Sequence, residues 1–264
     1  MKIGFIGAGN MAGAIIRGMV AAGYHGNDIL VYDIDAHKLA ELFEQTGVCV
    51  CRTPQEVVEG SKTVVVAVKP QVLQTVLSQL SVSLHRSNPL VVSIAAGKSL
   101  TDLEIMCGKG LSIVRVMPNL NARVGEGIAA FCSNEQVTSS QKDTVCMIFR
   151  TVGDIIELEE KHFALFTSLA SCSPAFTMLY IDALAQAGVR FGLPKATALQ
   201  IAEKAVLGTA RLMQETGEHP RALMDQVCSP GGTTIEGVCA LQQRGFEVAV
   251  QAAVQAALEK DRKL

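Results

Sequence analysis

The chain of 264 residues contains no tryptophan, and aromatic residues make up only 5% of it. It also lacks an excess of either charge: 23 Lys and Arg stand against 25 Asp and Glu, a formal net charge of −2. With both signs spread along the chain there is no basic face for nucleic acid and no polybasic anchor for a membrane surface, so small-molecule partners are expected. Long apolar runs are missing too. Charges, glycines and prolines interrupt every run before the roughly 18 residues that a bilayer crossing needs, so no membrane partner is expected. The opening "MKIGFIGAGNM" has no charged leader, extended apolar core or small-residue cleavage site. It reads as a buried first strand of a cytoplasmic protein. Cysteine is present eight times, at 49, 51, 107, 132, 146, 172, 228 and 239, but never as Cys-x-x-Cys. Cys49 and Cys51 alternate with Val48 and Val50 as strand residues do. Scattered thiols of this kind fit small hydrophobes in a reducing compartment, and no metal is expected.

What the chain does have is apolar mass, 49% hydrophobic residues with 18% charged, enough for a well-filled core in one large domain or two ordinary ones. As far as about residue 157, short β-branched runs alternate with helical stretches: "KIGFIG" then 11–23, "ILVYD" then 36–46, "TVVVAV" then 71–80, followed by "LVVSIAAG" and "LSIVRVMPN". Continuous apolar strands separated by helices imply a parallel sheet covered on both faces. Past Glu159 the strand signal stops, and Ala- and Leu-rich helical spacing runs over 160–187, 194–216, 220–227, 234–242 and 245–261. The expected architecture is therefore α/β: a Rossmann-type dinucleotide-binding domain over 1–158, followed by an all-α domain over 159–264. The first long helix carries Phe163, Phe166, Leu169, Ala170, Met178, Ile181 and Leu184 with few charges before Arg190, and Pro174 within it is expected to kink it. So small a helical domain has trouble burying that helix alone, which points to a homodimer packed through the helical domain.

"GFIGAGNMAGAIIRG" sets Gly7, Gly9 and Ala12 as Gly-x-Gly-x-x-Ala directly after a strand and at a helix start, with Asn10 and Met11 between. Gly7 permits the tight turn, Gly9 lets backbone approach a pyrophosphate, and Ala12 is small enough for close helix–strand packing. The helix N-terminus adds unpaired N–H groups and positive partial charge. The second strand ends in Asp33, whose carboxylate suits the adenosine ribose hydroxyls and repels a 2′-phosphate, so the cofactor is NADPH or NADH with a lean to NADH. Asp33 or Asp35 could equally cap the following helix, and Lys38 could swing toward a phosphate. Three later strand ends add Val68, Lys69 and Pro70; Ala95, Ala96 and Gly97; and Asn119. Lys69 can reach a ribose or phosphate oxygen, the Ala-Ala-Gly backbone can lie against a nicotinamide ring, and Asn119 offers a donor and an acceptor.

One stretch has no obvious place in a helical domain: "SPGGTTIEG", 229–237. Together with "GFIGAGNMA", "AVKP", "IAAG", "RVMPN", "SPAF", "FGLP" and "TGEHP", it makes the chain resemble the pyrroline-5-carboxylate reductase family over essentially its full length. That resemblance implies reduction of a cyclic imino acid to proline with NAD(P)H, and an interlocked helical dimer, often assembled into a larger ring. It implies cofactor contact for the Lys-Pro and Ala-Ala-Gly segments. For the imino acid it implies Ser229, Gly231, Gly232, Thr233 and Thr234. Backbone N–H groups of the Gly-Gly turn would cup the carboxylate, and the Thr234 hydroxyl, as the catalytic group, would face the ring nitrogen. Thr233 or Thr234 with Glu236 could instead cap the helix that starts here. Glu160 matches an acidic family position near the substrate and could equally serve a helix dipole. Residues 170–176, "ASCSPAF", depart from the family's usual Ser-Gly-Ser-Gly-Pro-Ala-Tyr.

Other readings are a β-hydroxyacid dehydrogenase, whose helical-domain Lys has no counterpart between His162 and Val189, and a metal-dependent reductoisomerase, for which Asp182, Glu203 and Asp225 are too scattered. A non-catalytic NAD(P)-binding sensor is the third. The five histidines form no triad, and His219 before Pro220 reads as a turn residue. Reducing a C=N bond needs only a hydride donor, a held substrate and charge stabilisation.

Overall fold

The computed structural model describes residues 2–261. Met1 and residues 262–264, at the outer ends of the two expected domain ranges, lie outside the described residues. One compact unit runs through Ser171 and a second begins at Cys172.

In the first unit a single sheet contains β1 (Ile3–Ile6), β2 (Ile29–Tyr32), β3 (Cys49–Val50), β4 (Thr63–Val66), β5 (Leu90–Ser93), β6 (Ile113–Met117), β7 (Gly127–Ser133) and β8 (Gly153–Glu157), in the order 3-2-1-4-5-6-7-8. The helices are α1 (Asn10–Ala21), α2 (Ala36–Thr46), α3 (Pro54–Gly60), α4 (Pro70–Ser87), α5 (Leu100–Cys107), α6 (Ser139–Phe149) and the short α7 (Phe163–Phe166). Successive strand side chains point to opposite faces, so each strand feeds two cores. Val65, Val92 and Val114 join Ile15, Leu39 and Ile148 on one face. Val64, Val66, Val91 and Ile113 join Val57, Leu77 and Leu103 on the other.

The sheet is not wholly parallel, as the strand pattern had implied. β7 runs antiparallel to β6, then pairs parallel with β8. The link from Met117 to Gly127 is a short 3₁₀ turn at Leu120–Val124, too little chain for a crossover, whereas α6 carries the chain between β7 and β8. α4 outruns its expected span of 71–80 and ends at Ser87, where Asn88 takes the left-handed conformation (φ 45°) and returns its N–H to Leu84 O.

The expected uninterrupted helix over 160–187 is also broken. A 3₁₀ turn (Glu160–His162), α7 and a π-helical turn (Thr167–Ser171) precede α8 (Ser173–Arg190). Pro174 therefore lies in the first turn of α8, where its missing N–H costs no helical bond, and does not kink a helix interior. The compact unit continues past residue 159 because Phe163, Phe166 and Ala170 bury themselves with Ala130 and Cys132 of β7.

The second unit holds α8, α9 (Lys195–Thr216), α10 (Pro220–Val227), α11 (Thr233–Gln243) and α12 (Phe246–Asp261). Ala185, Ala198 and Ala202 are its buried hydrophobic cluster, and a Cβ on Gly188 would come within 2.9 Å of the Ala198 Cβ, so α8 and α9 meet across small residues. Large apolar side chains stay outside: Leu179 is 71% exposed, Phe191 84% and Val248 69%. The stretch Glu160–Arg190 has a mean hydropathy of 1.4 over its most apolar window and could cross a membrane by length and composition alone. No apolar run there is long and unbroken, and its first turns are built into the core of the first unit.

Candidate active site

The parallel register aligns the strand ends. Ile6 lies opposite both Tyr32 and Val66, Val66 opposite Ser93, and Ser93 opposite Arg115. The segments after β1, β2, β4, β5 and β6 therefore emerge along one carboxyl edge, and the strand order reverses between β1 and β4, where open α/β sheets bind ligands. Gly7 to Ala12, Asp33, Val68 to Pro70, Ala95 to Gly97 and Asn119 all stand on that edge.

Two glycines of the first loop differ in what they do. Gly7 has φ 104°, and a Cβ there would lie 2.6 Å from Ala67 O, so the turn closes against β4 only without a side chain. Gly9 has ordinary backbone angles (φ −67°), yet a Cβ there would meet nothing within 4 Å. The space above Gly9 is thus left open beside the N-terminus of α1, which no side chain caps. A diphosphate fits there: the approach is unobstructed, and the first-turn amides of Asn10, Met11 and Ala12 supply donors with the positive end of the dipole.

Asp33 is half-buried and already employed. Its Oδ2 accepts the Ala8 N–H at 2.6 Å and its Oδ1 accepts the Asp35 N–H at 2.9 Å, tying the glycine loop to the end of β2. Asp35, not Asp33, caps α2, accepting from the His37 and Lys38 amides at 3.1 and 3.4 Å. Lys38 turns back onto Asp35 at 3.1 Å. The Lys38 hydrogen bond holds the Asp35 carboxyl below its usual range, and Asp35 raises Lys38. Beside the loop, a groove of about 360 Å³ is lined by Gly9, Gly13, Arg17, His37, Lys38 and Glu41 among others.

Lys69 stands exposed at the head of α4, with Pro70 in its first turn and no side-chain cap. Ala95 is buried, while Ala96 and Gly97 (φ 71°) are exposed, so backbone is presented at this corner. Asn119 is 4% exposed and its side chain faces the protein: Nδ2 donates to Ala170 O and Oδ1 accepts from Ile128 N–H, both at 3.0 Å. Glu160 Oε1 accepts from Leu100 N–H at 2.7 Å and from Arg115 Nη1 at 2.9 Å.

In the second unit Ser229 to Gly232 form a tight turn closed by the Gly232 N–H to Ser229 O at 3.0 Å. Pro230 and Gly231 (φ 66°) occupy its two central positions, the residues and sign of φ that a type II turn requires. Gly232 then leads into α11, where no side chain of Thr233, Thr234 or Glu236 caps the helix. Thr233 and Thr234 are exposed.

Residues 160–264 match the family described as pyrroline-5-carboxylate reductase dimerisation, and residues 2–97 match NADP oxidoreductase coenzyme F420-dependent. The pyrroline-5-carboxylate reductase of Escherichia coli is 41% identical over 264 residues, covering 100% of this chain and 98% of that protein. That of Arabidopsis thaliana is 40% identical, covering 100% and 95%. The chain belongs to the pyrroline-5-carboxylate reductase family. Its fold agrees with two solved reductases, one from Coxiella burnetii (TM-score 0.95, 34% identity, covering 99% and 97% of the two chains) and one from Plasmodium falciparum with NADP bound (TM-score 0.87, 31% identity, covering 100% and 97%).

Membership in the pyrroline-5-carboxylate reductase family gives the exposed apolar side chains of the second unit a reason, since the dimerisation match spans all of it. Residue-type reasoning overlooked Arg115 as a working group within "RVMPN" and overlooked the cap on α5. There Ser99 and Asp102 form a reciprocal capping box that begins two residues past Gly97, legible in the Ser-x-x-Asp spacing. The Ser99 amide and hydroxyl hold the Asp102 carboxyl below its usual range.

Proposed function

We propose that this chain reduces L-1-pyrroline-5-carboxylate to L-proline with hydride from NADH or NADPH, preferring NADH. The observation that carries this reading is the Ser229–Gly232 turn, which delivers two side-chain-free residues to an uncapped helix start in a chain that also bears an open diphosphate cradle at Gly9. The Gly231 amide and those of the first turn of α11 hold the substrate carboxylate, aided by the helix dipole, with Gly232 leaving room for it, and Ser229 and Thr233 border it. Thr234 presents its hydroxyl to the ring nitrogen, steadying the change of charge there and moving a proton. Bound coenzyme supplies the hydride for the C=N carbon. Asn10, Met11 and Ala12 hold its diphosphate, Val68, Lys69 and Pro70 its ribose side, and Ala95 to Gly97 its nicotinamide half. Asn119 contributes from the end of β6 by keeping that strand end fixed.

The lean to NADH rests on Asp33 and Asp35 at the end of β2, since Asp35 pairs with Lys38 and the negative charge of Asp33 repels a 2′-phosphate. The functional division at 158/159 is supported by the start of the dimerisation match at 160. We read the protein as a cytoplasmic homodimer formed through the helical domain, assembling further into a larger ring, without nucleic-acid or membrane partners. Loss of absorbance at 340 nm with pyrroline-5-carboxylate and each coenzyme in turn tests the assignment. Coenzyme binding without turnover would refute it.

A further inference from the structure

Glu160 joins three distant parts of the first unit. Its Oε1 accepts from Leu100 N–H and from Arg115 Nη1, at separations of 60 and 45 residues. Arg115 is itself held, its guanidinium lying 4.4 Å from the centroid of the Phe163 ring and its side chain only 13% exposed. Leu100 is the first residue of α5, and three residues before it lies Gly97, with φ 71° in a segment that is neither helix nor strand. At the upstream end this segment is fixed by Ile94 N–H to Val66 O at 3.2 Å. At the downstream end it is fixed by the Ser99–Asp102 box and by Glu160.

We propose that Glu160, held by Arg115, is a positioning residue that sets the Ala95–Gly97 loop for the nicotinamide half of the coenzyme, and does not itself ligate the imino acid. The proposal rests on the coenzyme reading above. A carboxylate that accepts a helix-start amide and pairs with an arginine on the neighbouring strand fixes a loop end with two charge-assisted bonds. Losing it frees the exit of a loop whose conformation depends on its two ends.

The test compares Glu160→Ala and Glu160→Gln with the unaltered chain by amide exchange over residues 96–101, by the Kd for NADH against ADP-ribose, which lacks nicotinamide, and by kcat and KM for pyrroline-5-carboxylate. In Glu160→Ala, exchange should accelerate about tenfold. NADH binding should weaken about fivefold with ADP-ribose binding within about twofold, and kcat should fall more than KM rises. Glu160→Gln, which still offers an oxygen to Leu100 N–H, should recover most of each change. Should Glu160→Ala fail to fold, Arg115→Met, which leaves Glu160 unsupported, must show the same split between NADH and ADP-ribose. Unchanged exchange over 96–101, or equal weakening of NADH and ADP-ribose, overturns the proposal. So does a rise confined to the imino acid KM in Glu160→Gln, which would make the carboxylate a substrate ligand. If the unaltered chain does not turn over pyrroline-5-carboxylate, the functional reading falls, while exchange and ADP-ribose binding still decide the role of Glu160.

Discussion

Replacing Asp33 by asparagine tests whether this carboxylate serves the loop as well as the coenzyme. In the native chain it accepts two backbone N–H groups, Ala8 at 2.6 Å and Asp35 at 2.9 Å, in a half-buried position. Asparagine has one acceptor oxygen, so one amide keeps a bond, weakened because its acceptor is neutral, at a cost of about 1 kcal/mol. The other amide faces an NH₂ group and goes unpaired, at about 2 kcal/mol. The sum, about 3 kcal/mol, corresponds to a fall in Tm of roughly 6–12 °C for a unit of this size. Thermal denaturation followed by circular dichroism measures it, and Kd values for both coenzymes complete the comparison. If the glycine loop holds the diphosphate as proposed, both affinities should drop because Ala8 belongs to that loop, and the proposed preference for NADH should narrow as the negative charge disappears. A Tm within about 1 °C of the native value with coenzyme preference altered would show that Asp33 acts on the ligand alone and would refute the reasoning.

The two loop glycines should separate fold from binding. Gly7→Ala, strained by φ 104° and by Ala67 O, should lose about 2–4 kcal/mol in urea unfolding, whereas Gly9→Val should unfold normally and bind NADH at least about tenfold more weakly. Thr234→Ala should lower kcat by about a hundredfold with coenzyme Kd within about twofold, read by steady-state kinetics and fluorescence titration. An unchanged kcat removes Thr234 from the mechanism. Burial pushes the Cys107 and Cys132 thiols up to about 12 from 9.0. Because the folded state keeps these protons longer than the unfolded chain, their contribution is full below pH 9 and is lost as pH rises from 9 toward 12. Unfolding free energy should therefore fall by about 1 kcal/mol per pH unit per thiol in that window, and less steeply in a Cys107→Ala, Cys132→Ala variant. Finally, Leu179→Glu on the exposed face of α8 should shift the oligomer toward monomer in size-exclusion chromatography with light scattering.

Much of this was legible in the residues. Gly-x-Gly-x-x-Ala after an apolar run, the Lys-Pro and Ala-Ala-Gly strand ends, the switch to helical spacing past Glu159 and the Pro-Gly-Gly insertion each depend on backbone preferences within a few residues. An apolar helix with nothing in its own domain to cover it announced a partner surface. The tertiary structure alone decided which polar groups are free. Asn119 has the same amide whether it faces a ligand or, as here, spans Ile128 and Ala170; Glu160 looks the same at a helix start whether or not Leu100 and Arg115 reach it. Asp33 ends a strand, and only the folded loop shows Ala8 returning to it. The antiparallel course of β7 and the π-helical turn before Pro174 likewise became visible only in the folded chain. Local pattern determines which element forms, because that depends on near neighbours; Ala8, Arg115 and Leu100 reach Asp33 and Glu160 from 25, 45 and 60 residues away, and only the completed fold brings such donors to their acceptors.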